Sequence, residues 1–426
     1  MSADAGGYLA LSHCWGKPTD EQKKKFCTTA NNLELRKVGF FESDLPKTFQ
    51  HAVQVTRELG MKYLWIDALC IIQTITGADT EDWEKEAPRM EMVFGSAYCT
   101  LAASSAVDWE KGFLAPSSAR YEESQSASGA SRYSCYGLGP TDFLCHVDAA
   151  PLNQRAWVLQ ERVLSRRTLH FTGNCTYFEC GVGVYCEDLT KHTNVRSYFL
   201  ADPEFPLRLR VSGYSRSLDF LQYLFVKYAQ SKITKESDRN MAIWSLMERM
   251  GSIFSTEHRY GIFKSFRFRL LLWRPGPGND DGRHVVDNQE LPSWSWMRYS
   301  RIRFSDTTSP VLHVPTDAAF AFSYKNPCVL FIRVRRLKDC TTEHEGRECS
   351  ILDAKEEPVG FVWFDTMTRS NISLQECVVA GRAANDSEMI YILLVEVFSK
   401  NSYKRVGVGK IKARCISERY WNGELS

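Results

Sequence analysis

Polar and aromatic residues follow three short apolar segments in the N-terminal half, at the points where those segments end. The set comprises Ser12, His13, Trp15 and Gly16 after residues 8–11, Asp67 after residues 63–66, Ser104 after residues 98–103, and Trp157 and Glu161 in a predicted helix over residues 153–164. Because ligands bind at the carboxyl ends of parallel strands, we expect these side chains to converge at one sheet edge. A hydroxyl, an imidazole, an indole and two carboxylates are thus expected to converge on one edge of the sheet.

Three of these residue types have structural alternatives. Trp15 and Trp157 have rings that can sandwich a ligand, but large aromatics beside a sheet are more often part of the core. Asp67 suits a ribose hydroxyl and equally suits capping of the turn that follows it. His13 and Cys14 are not a catalytic dyad, because neighbours on an extended chain point to opposite sides.

Glu161 also has two interpretations, which spacing alone leaves open. Arg162 follows it and Arg155 precedes it, so a surface ion pair of little energetic value is one of them. The other follows from its position four residues after Trp157, on the same helix face. A carboxylate beside an indole in a partly dry crevice is well placed to stabilise a developing cation.

The elements that must position these residues alternate between strand and helix. Apolar segments at 8–11, 63–66 and 98–103 predict buried strands, and helical spacing predicts helices over 44–60 and from Asp82 to Gly95, the latter interrupted at Pro88. Residues 168–171 and 176–179 predict a hairpin. This alternation predicts an α/β domain over residues 1–190, with a mostly parallel sheet, flanking helices and a Ser-rich surface insertion near 116–134.

The remainder of the chain has a different pattern. Helical spacing over residues 220–228 and 238–250 predicts a helical connecting region over residues 191–300. Apolar runs at 329–334, 359–364 and 389–397 predict strands, and we expect a β-rich unit over residues 301–426.

Composition excludes several function classes. The 53 basic and 51 acidic residues give a net charge of +2, which disfavours nucleic-acid binding through bulk charge. No apolar run approaches the ~20 residues that span a bilayer, and no export signal is present, so we expect a soluble, cytoplasmic protein. Its 14 cysteines are then expected to be reduced.

Neither a metal site nor a common nucleotide-binding motif is evident. Cys175, Cys180 and Cys186 near His170 lack the paired spacing of a structural zinc site, so we predict no metal. The glycine-rich fingerprints of dinucleotide-binding and phosphate-binding loops are also absent from the sequence. A bound nucleotide would have to be held in another way.

Three ordered segments nevertheless resemble a known family. Residues 8–16 (YLALSHCWG), 64–73 (LWIDALCIIQ) and 155–162 (RAWVLQER) closely resemble the three blocks of the fungal heterokaryon-incompatibility (HET) domain. Residues 291–296 (LPSWSW) and 405–409 (RVGVG) resemble downstream segments of such proteins. The resemblance implies a role in non-self recognition between fungal cells, ending in growth arrest or programmed cell death.

The family is in turn distantly similar to TIR domains, which have a flavodoxin-like sheet. Residues 157–161 resemble the TIR tryptophan-to-glutamate stretch, which places Glu161 where NAD-cleaving TIR domains have their catalytic glutamate. This implies cleavage of the nicotinamide–ribose bond, with NAD as substrate and no bound cofactor. On this hypothesis, the substrate-binding residues are Ser12, His13, Trp15, Gly16, Asp67, Ser104 and Trp157.

A non-enzymatic role remains the alternative. On that hypothesis, the α/β domain is a signalling module that self-assembles as a homo-oligomer or binds a protein signalling partner. The environment of Glu161 discriminates between the two, since a catalytic carboxylate must lie with the other strand-end residues and not in a surface ion pair.

Overall fold

The chain divides into two compact units in the computed structural model. The structure describes residues 7–75, 81–114, 143–192, 195–200, 202–233, 239, 241–276, 291–304, 312–314, 320–343, 346–368, 373–383 and 386–426. One unit comprises Met1–Arg208 and Ser231–Leu246, and the other comprises Leu209–Gln230 and Met247–Ser426. The predicted insertion at 116–134 lies outside the described residues, and the division at residues 190 and 300 stays a prediction.

A seven-stranded sheet forms the centre of the first unit. Its strands are β1 (Tyr8–Ser12), β2 (Tyr63–Trp65), β3 (Cys99–Ala102), β4 (Arg167–Phe171), β5 (Thr176–Cys180), β6 (Gly183–Cys186) and β7 (Lys191–His192). Their order is β2-β1-β3-β4-β5-β6-β7. The pairings among β2, β1, β3 and β4 are parallel, and the later ones are antiparallel. The predicted parallel sheet and hairpin are confirmed, and β6 and β7 extend the antiparallel edge.

Helices connect the parallel strands, as the alternating pattern predicts. They are α1 (Asp20–Phe26), α2 (Leu33–Val38), α3 (Lys47–Glu58), α4 (Asp67–Cys70), α5 (Glu81–Glu86), α6 (Met90–Ser96) and α7 (Ala156–Leu164). Shorter turns of helix are Glu42–Asp44, Ala87–Arg89, Leu144–Asp148 and Leu152–Gln154. Pro88 lies in the 3-10 turn between α5 and α6, so the predicted interruption is confirmed.

Helix α3 shows how local sequence produces these elements. It starts directly after Pro46, and Phe49, Ala52 and Val55 recur at helical spacing on its buried face. Gly60 follows its end with φ +67°, a left-handed conformation that glycine adopts without the steric cost of a Cβ. The buried face packs in one core cluster with residues of β1 and β3.

Five helices follow the first sheet in the described part of the chain. They are α8 (Val195–Leu200), α9 (Leu207–Val211), α10 (Gly213–Gln230), α11 (Met241–Ile253) and α12 (Arg267–Leu270), with a 3-10 turn at Lys264–Phe266. The two predicted helices correspond to α10 and α11. Helix α10 extends beyond the predicted bounds at both ends, whereas α11 begins at Met241, after the predicted start at residue 238, and ends at Ile253, after the predicted end at residue 250.

The second unit contains a nine-stranded sheet that is almost wholly antiparallel. Its strands are β12 (Leu312–His313), β13 (Phe320–Phe322), β14 (Leu330–Glu343), β15 (Gly346–Leu352), β16 (Pro358–Thr368), β17 (Ser373–Ala383), β18 (Asp386–Ser399), β19 (Ser402–Lys412) and β20 (Ile416–Leu425). Two small pairs precede it, β8 (His258–Arg259) with β9 (Ile262–Phe263) and β10 (Trp273–Pro275) with β11 (Ile302–Phe304). Further 3-10 turns are Trp296–Arg298 and Ala413–Cys415. The predicted β-rich C-terminal unit is confirmed.

The two downstream segments of the family resemblance meet inside this unit. The backbone N–H of Arg405 donates to Ser293 Oγ at 3.0 Å. The Arg405 guanidinium, buried, lies 3.5 Å from the centroid of the Trp273 ring and pairs with Asp365. These residues are part of the packed interior, which assigns the segments a structural role.

No helix in the described part of the chain is long and apolar enough to cross a membrane.

Candidate functional site

The candidate residues lie at the carboxyl ends of β1, β2 and β3. Ser12 is the last residue of β1, and Asp67 begins α4 two residues after the end of β2. Because β1 pairs in parallel with both β2 and β3, the ends of all three strands lie at the same sheet edge. Ligands of open α/β sheets bind at such an edge.

Glu161 reaches this edge from helix α7. The hydroxyl of Ser12 donates to Glu161 Oε2 at 2.5 Å, although the two residues are 149 positions apart. The Ser165 hydroxyl donates to the Glu161 carbonyl and is hydrogen-bonded to Thr100 of β3, which ties the end of the helix to the sheet. Helix and strand together thus position the carboxylate.

The Glu161 side chain is in an environment that disfavours its charge. Glu161 is only 8% exposed, and this burial raises the pKa of its carboxyl to about 7. The nearby charge of Asp67 acts in the same direction, whereas the Ser12 hydrogen bond and the charge of Arg155 oppose the rise in pKa. The carboxyl therefore exchanges its proton near neutral pH.

The surface ion pair considered for Glu161 does not form. Arg162 turns away and donates to both carboxylate oxygens of Glu179, at 2.8 and 3.1 Å, and to Asp148 at 2.5 Å. Arg162 and Glu179 are both buried. Neither Glu161 nor Arg162 is a surface residue, so adjacency in sequence was misleading here.

Asp67 holds the loop that follows β1. Its Oδ2 accepts from the Trp15 indole N–H at 2.9 Å, and its Oδ1 accepts from the backbone N–H of Ala68 at 2.7 Å. His13 Nδ1 lies 3.8 Å from the same Oδ1. Asp67 therefore fixes the Trp15 ring, while its bond to Ala68 lies within α4, whose N-cap is Ile66.

His13 is a buried imidazole, and this burial determines its charge state. Its ring packs edge-on against Phe49 at 5.0 Å, and its Nε2 is buried with no hydrogen-bond partner among the described residues. Burial lowers its pKa to about 4, more than the Asp67 charge compensates. His13 is therefore neutral at physiological pH. Cys14 packs instead with Ala102, Leu152 and Val158, so the two neighbours do point apart.

The remaining candidates are placed less centrally. The Trp157 ring lies edge-on to Trp83, with 5.5 Å between centroids, and Ser104 is buried with its hydroxyl 3.5 Å from the Ala102 carbonyl oxygen. Gly16 has φ +73°, and a Cβ there would lie 2.5 Å from Asp108 Cβ, so the loop requires glycine. Direct contacts thus link Ser12 to Glu161, and Asp67 to His13 and Trp15.

Arg155 is the residue that sequence reasoning missed. Its guanidinium Nη1 donates to the His13 carbonyl at 2.5 Å, and its charge influences the Glu161 carboxyl, the His13 imidazole and the Cys14 thiol. Arg155 therefore interacts with both contact groups, through Glu161 in the pair with Ser12 and through His13 in the group with Asp67 and Trp15. The available signal was its position immediately before α7, six residues from Glu161.

The described residues contain no cluster of three or more His, Cys, Asp or Glu side chains suited to a metal ion. His170 instead hydrogen-bonds Glu179 at 3.0 Å, and Cys175 and Cys186 belong to an apolar cluster with Val184.

An α/β domain with a buried carboxylate at the carboxyl edge of its parallel strands therefore defines the N-terminal part of the protein. Residues 8–161 match the family model described as Heterokaryon incompatibility protein (HET), and the chain accordingly contains a heterokaryon-incompatibility domain. No curated protein and no solved structure matches the chain significantly. The matched range ends at Glu161 and includes the candidate residues named above.

Proposed function

We propose that the chain is an effector of fungal heterokaryon incompatibility whose N-terminal domain cleaves the bond between nicotinamide and ribose in NAD. The observation that carries the proposal is the buried Glu161 carboxyl, which forms no ion pair with a described residue, accepts from Ser12 and has its pKa raised to about 7. Burial of a carboxylate in such surroundings destabilises the fold by several kcal/mol, as an order of magnitude, and a functional role accounts for its presence there. Perturbed carboxyls in crevices are characteristic of catalytic sites.

The reaction needs only one carboxylate. The C–N bond breaks, and its electron pair leaves with the nicotinamide nitrogen, which thereby loses its positive charge and needs no general acid. The ribose carbon becomes an oxocarbenium-like cation that Glu161, as carboxylate, stabilises electrostatically. Water then adds to that carbon and releases a proton, giving nicotinamide and ADP-ribose.

Other residues would bind the substrate around this centre. Asp67 would accept a hydrogen bond from a ribose hydroxyl, and Trp15 or Trp157 would stack on a ring. His13 and Ser104 would line the site, and backbone groups of residues 12–16 would approach the phosphates. In this proposal, Ser12 orients the Glu161 carboxyl through its short hydrogen bond.

The strand order also supports the proposal. The parallel strands follow the order 2-1-3-4, with which the flavodoxin-like arrangement begins. In that arrangement, the ligand binds beside strands 1 and 3, where the direction of winding reverses. Ser12 at the end of β1 and Glu161 beside it would occupy this position.

The test is release of free nicotinamide from NAD by the purified chain at low and high protein concentration. We expect the wild type to release nicotinamide, and Glu161→Gln to lower the rate by about 100-fold or more, the effect of removing one electrostatic stabiliser. Glu58→Gln, at the exposed end of α3, is the matched control and should retain full activity. Full activity of folded Glu161→Gln would refute the assignment.

A second candidate, self-assembly, is favoured by one surface feature. Helix α2 buries no residue, and the apolar side chains there and just after it are exposed: Leu35 by 72%, Val38 by 89%, Phe40 by 46% and Phe41 by 78%. Apolar patches of this kind are characteristic of protein contacts. Sedimentation of the wild type and of Val38→Glu over a concentration series tests it, since assembly through this patch should weaken in the variant.

A further inference from the structure

We infer that the Arg155 guanidinium binds a phosphate group of the substrate, so that the site accepts a phosphorylated nucleotide and discriminates against the corresponding nucleoside. The inference rests on the proposed function, because it concerns the same sheet edge and names what determines the choice of substrate there.

Arg155 has unused hydrogen-bonding capacity. A guanidinium has five N–H donors, and Arg155 uses Nη1 on the His13 carbonyl and lies against the Cys14 thiol. It is partly buried, and no carboxylate of the described residues forms an ion pair with it. Partly buried arginines without a counter-charge are suited to carboxylate or phosphate ligands, which match the planar fork.

The contrast with Arg162 supports this assignment. Arg162 lies within α7, which Arg155 immediately precedes, and its Nε, Nη1 and Nη2 atoms donate to Glu179 and Asp148. Its charge is therefore neutralised inside the protein. Of these two arginines, Arg155 is the one whose charge remains available to a ligand.

Helix α7 separates two opposite charges, those of Arg155 and Glu161. Arg155 is the residue that precedes the helix, and Glu161 lies six residues later, roughly 9 Å along the helix axis. The two interact electrostatically without forming an ion pair. A ligand with an anionic group at one end and a carbon that becomes cationic at the other complements both charges at once. A phosphorylated nucleotide with a cationic base has this distribution of charge.

Arg155 is the charged hydrogen-bond donor at the N-terminus of α7. The first N–H of the helix, that of Ala156, already donates to the Lys232 carbonyl at 2.9 Å. The helix N-terminus has no side-chain cap. Because hydrogen bonds from a charged donor are stronger than those from neutral N–H groups, Arg155 is the strongest described donor at this end of α7 for an incoming anion.

The decisive experiment measures binding separately from turnover. ADP-ribose, which lacks the bond to be cleaved, and adenosine, which lacks phosphate, are titrated into the wild type, Arg155→Ala and Arg155→Lys. Arg57→Ala, at an exposed position of α3 paired with Glu42, is the matched control. Arg155→Ala should weaken ADP-ribose binding by about 10- to 100-fold, the usual effect of losing a charged hydrogen bond, and should leave adenosine binding unchanged.

The lysine variant distinguishes loss of the guanidinium fork from misfolding of the alanine variant. Arg155→Lys keeps the charge but loses the fork, so we expect a smaller loss of ADP-ribose affinity than in the alanine variant. Equal ADP-ribose affinity in all variants, no binding by the wild type, or a parallel loss of adenosine binding would each overturn the inference.

Turnover distinguishes this inference from the proposed function. Arg155→Ala should lower kcat/KM for NAD but not for nicotinamide riboside, which has the same scissile bond and no phosphate. If the wild type binds ADP-ribose through Arg155 yet cleaves nothing, the proposed function fails and the phosphate site stands. If Glu161-dependent cleavage occurs with NAD and nicotinamide riboside equally affected by Arg155→Ala, the phosphate site fails alone.

Discussion

Two buried glutamates of the first unit, Glu161 and Glu179, lie in opposite electrostatic environments. Glu179 accepts from Arg162 with both oxygens and from His170 at 3.0 Å, and the charge of Arg162 holds the pKa of this carboxyl well below its usual range despite burial. The Glu161 carboxyl accepts from one described residue, through the Ser12 hydroxyl, and burial raises the pKa of this carboxyl to about 7. Glu179 is therefore charged at every physiological pH, whereas Glu161 is present in both its charged and its protonated form near pH 7.

One short helix, α7, separates a structural charge, that of Arg162, from a reactive one, that of Glu161. Residues 161 and 162 are adjacent, but successive helical positions are about 100° apart around the axis, so their side chains leave in different directions. Arg162 points to Glu179 on β5, whereas Glu161 points to Ser12 at the end of β1. The arginine that would have neutralised Glu161 is thereby occupied elsewhere.

The largest expected effect is on stability and belongs to Glu179. Glu179→Gln should lower the free energy of unfolding by about 3 to 5 kcal/mol, because it leaves the buried Arg162 charge without a full partner. Glu161→Gln should not lower it, because no buried cation depends on Glu161. Urea denaturation at pH 7 measures both variants, and equal losses would contradict the distinction drawn between the two glutamates.

The next effect is the pH dependence of stability. The pKa of Glu161 is higher in the folded state than the ordinary value of 4.5, so its contribution to stability is complete below pH 4.5 and is lost as pH rises through about 7. Glu161→Gln removes that loss. The free energy of unfolding of the variant should match that of the wild type near pH 4.5 and exceed it by roughly 3 to 3.5 kcal/mol at pH 8, given about 1.4 kcal/mol per pKa unit.

Denaturation series at several pH values measure this difference. The control is Glu179→Gln, whose deficit should shrink only under strongly acidic conditions, because the pKa of Glu179 is lowered and its stabilisation disappears as pH falls below its usual titration range. A Glu161→Gln curve parallel to that of the wild type between pH 4.5 and 8 would show that Glu161 does not titrate there.

The smallest effect concerns the Ser12 hydrogen bond. Ser12→Ala removes the donor that favours the charged form of Glu161, so the pKa of this carboxyl should rise further, by roughly one unit. The rate of nicotinamide release should then reach half its maximum at a correspondingly higher pH. The maximal rate at high pH is the internal control, and a midpoint that moves down would refute the role of Ser12.

Much of the framework was predictable because it depends on local patterns. Apolar runs and helical spacing identify β1, β2, β3 and α3, and Pro88 marks the break between α5 and α6, since these features follow from backbone sterics and side-chain period. The expectation that polar residues gather at the strand ends follows from topology alone. The three family segments led to the family that the comparison with residues 8–161 confirms.

The electrostatics of the site were not predictable in the same way. Whether Glu161 pairs with Arg162, and whether Arg155 has a carboxylate partner, depends on which distant residues reach each side chain. Ser12 and Glu161 are 149 residues apart, and Trp15 and Asp67 are 52 apart. No local period encodes such pairs.

The sequence by itself thus determined the elements, their alternation and the residues available at the sheet edge, because short-range sterics and hydrophobic periodicity act within a few residues. Tertiary structure alone decided which carboxylate is neutralised and which is not. The reason is that burial and charge pairing depend on packing between β1, β5 and α7. That packing leaves Glu161 with a hydroxyl partner and Arg155 without a carboxylate.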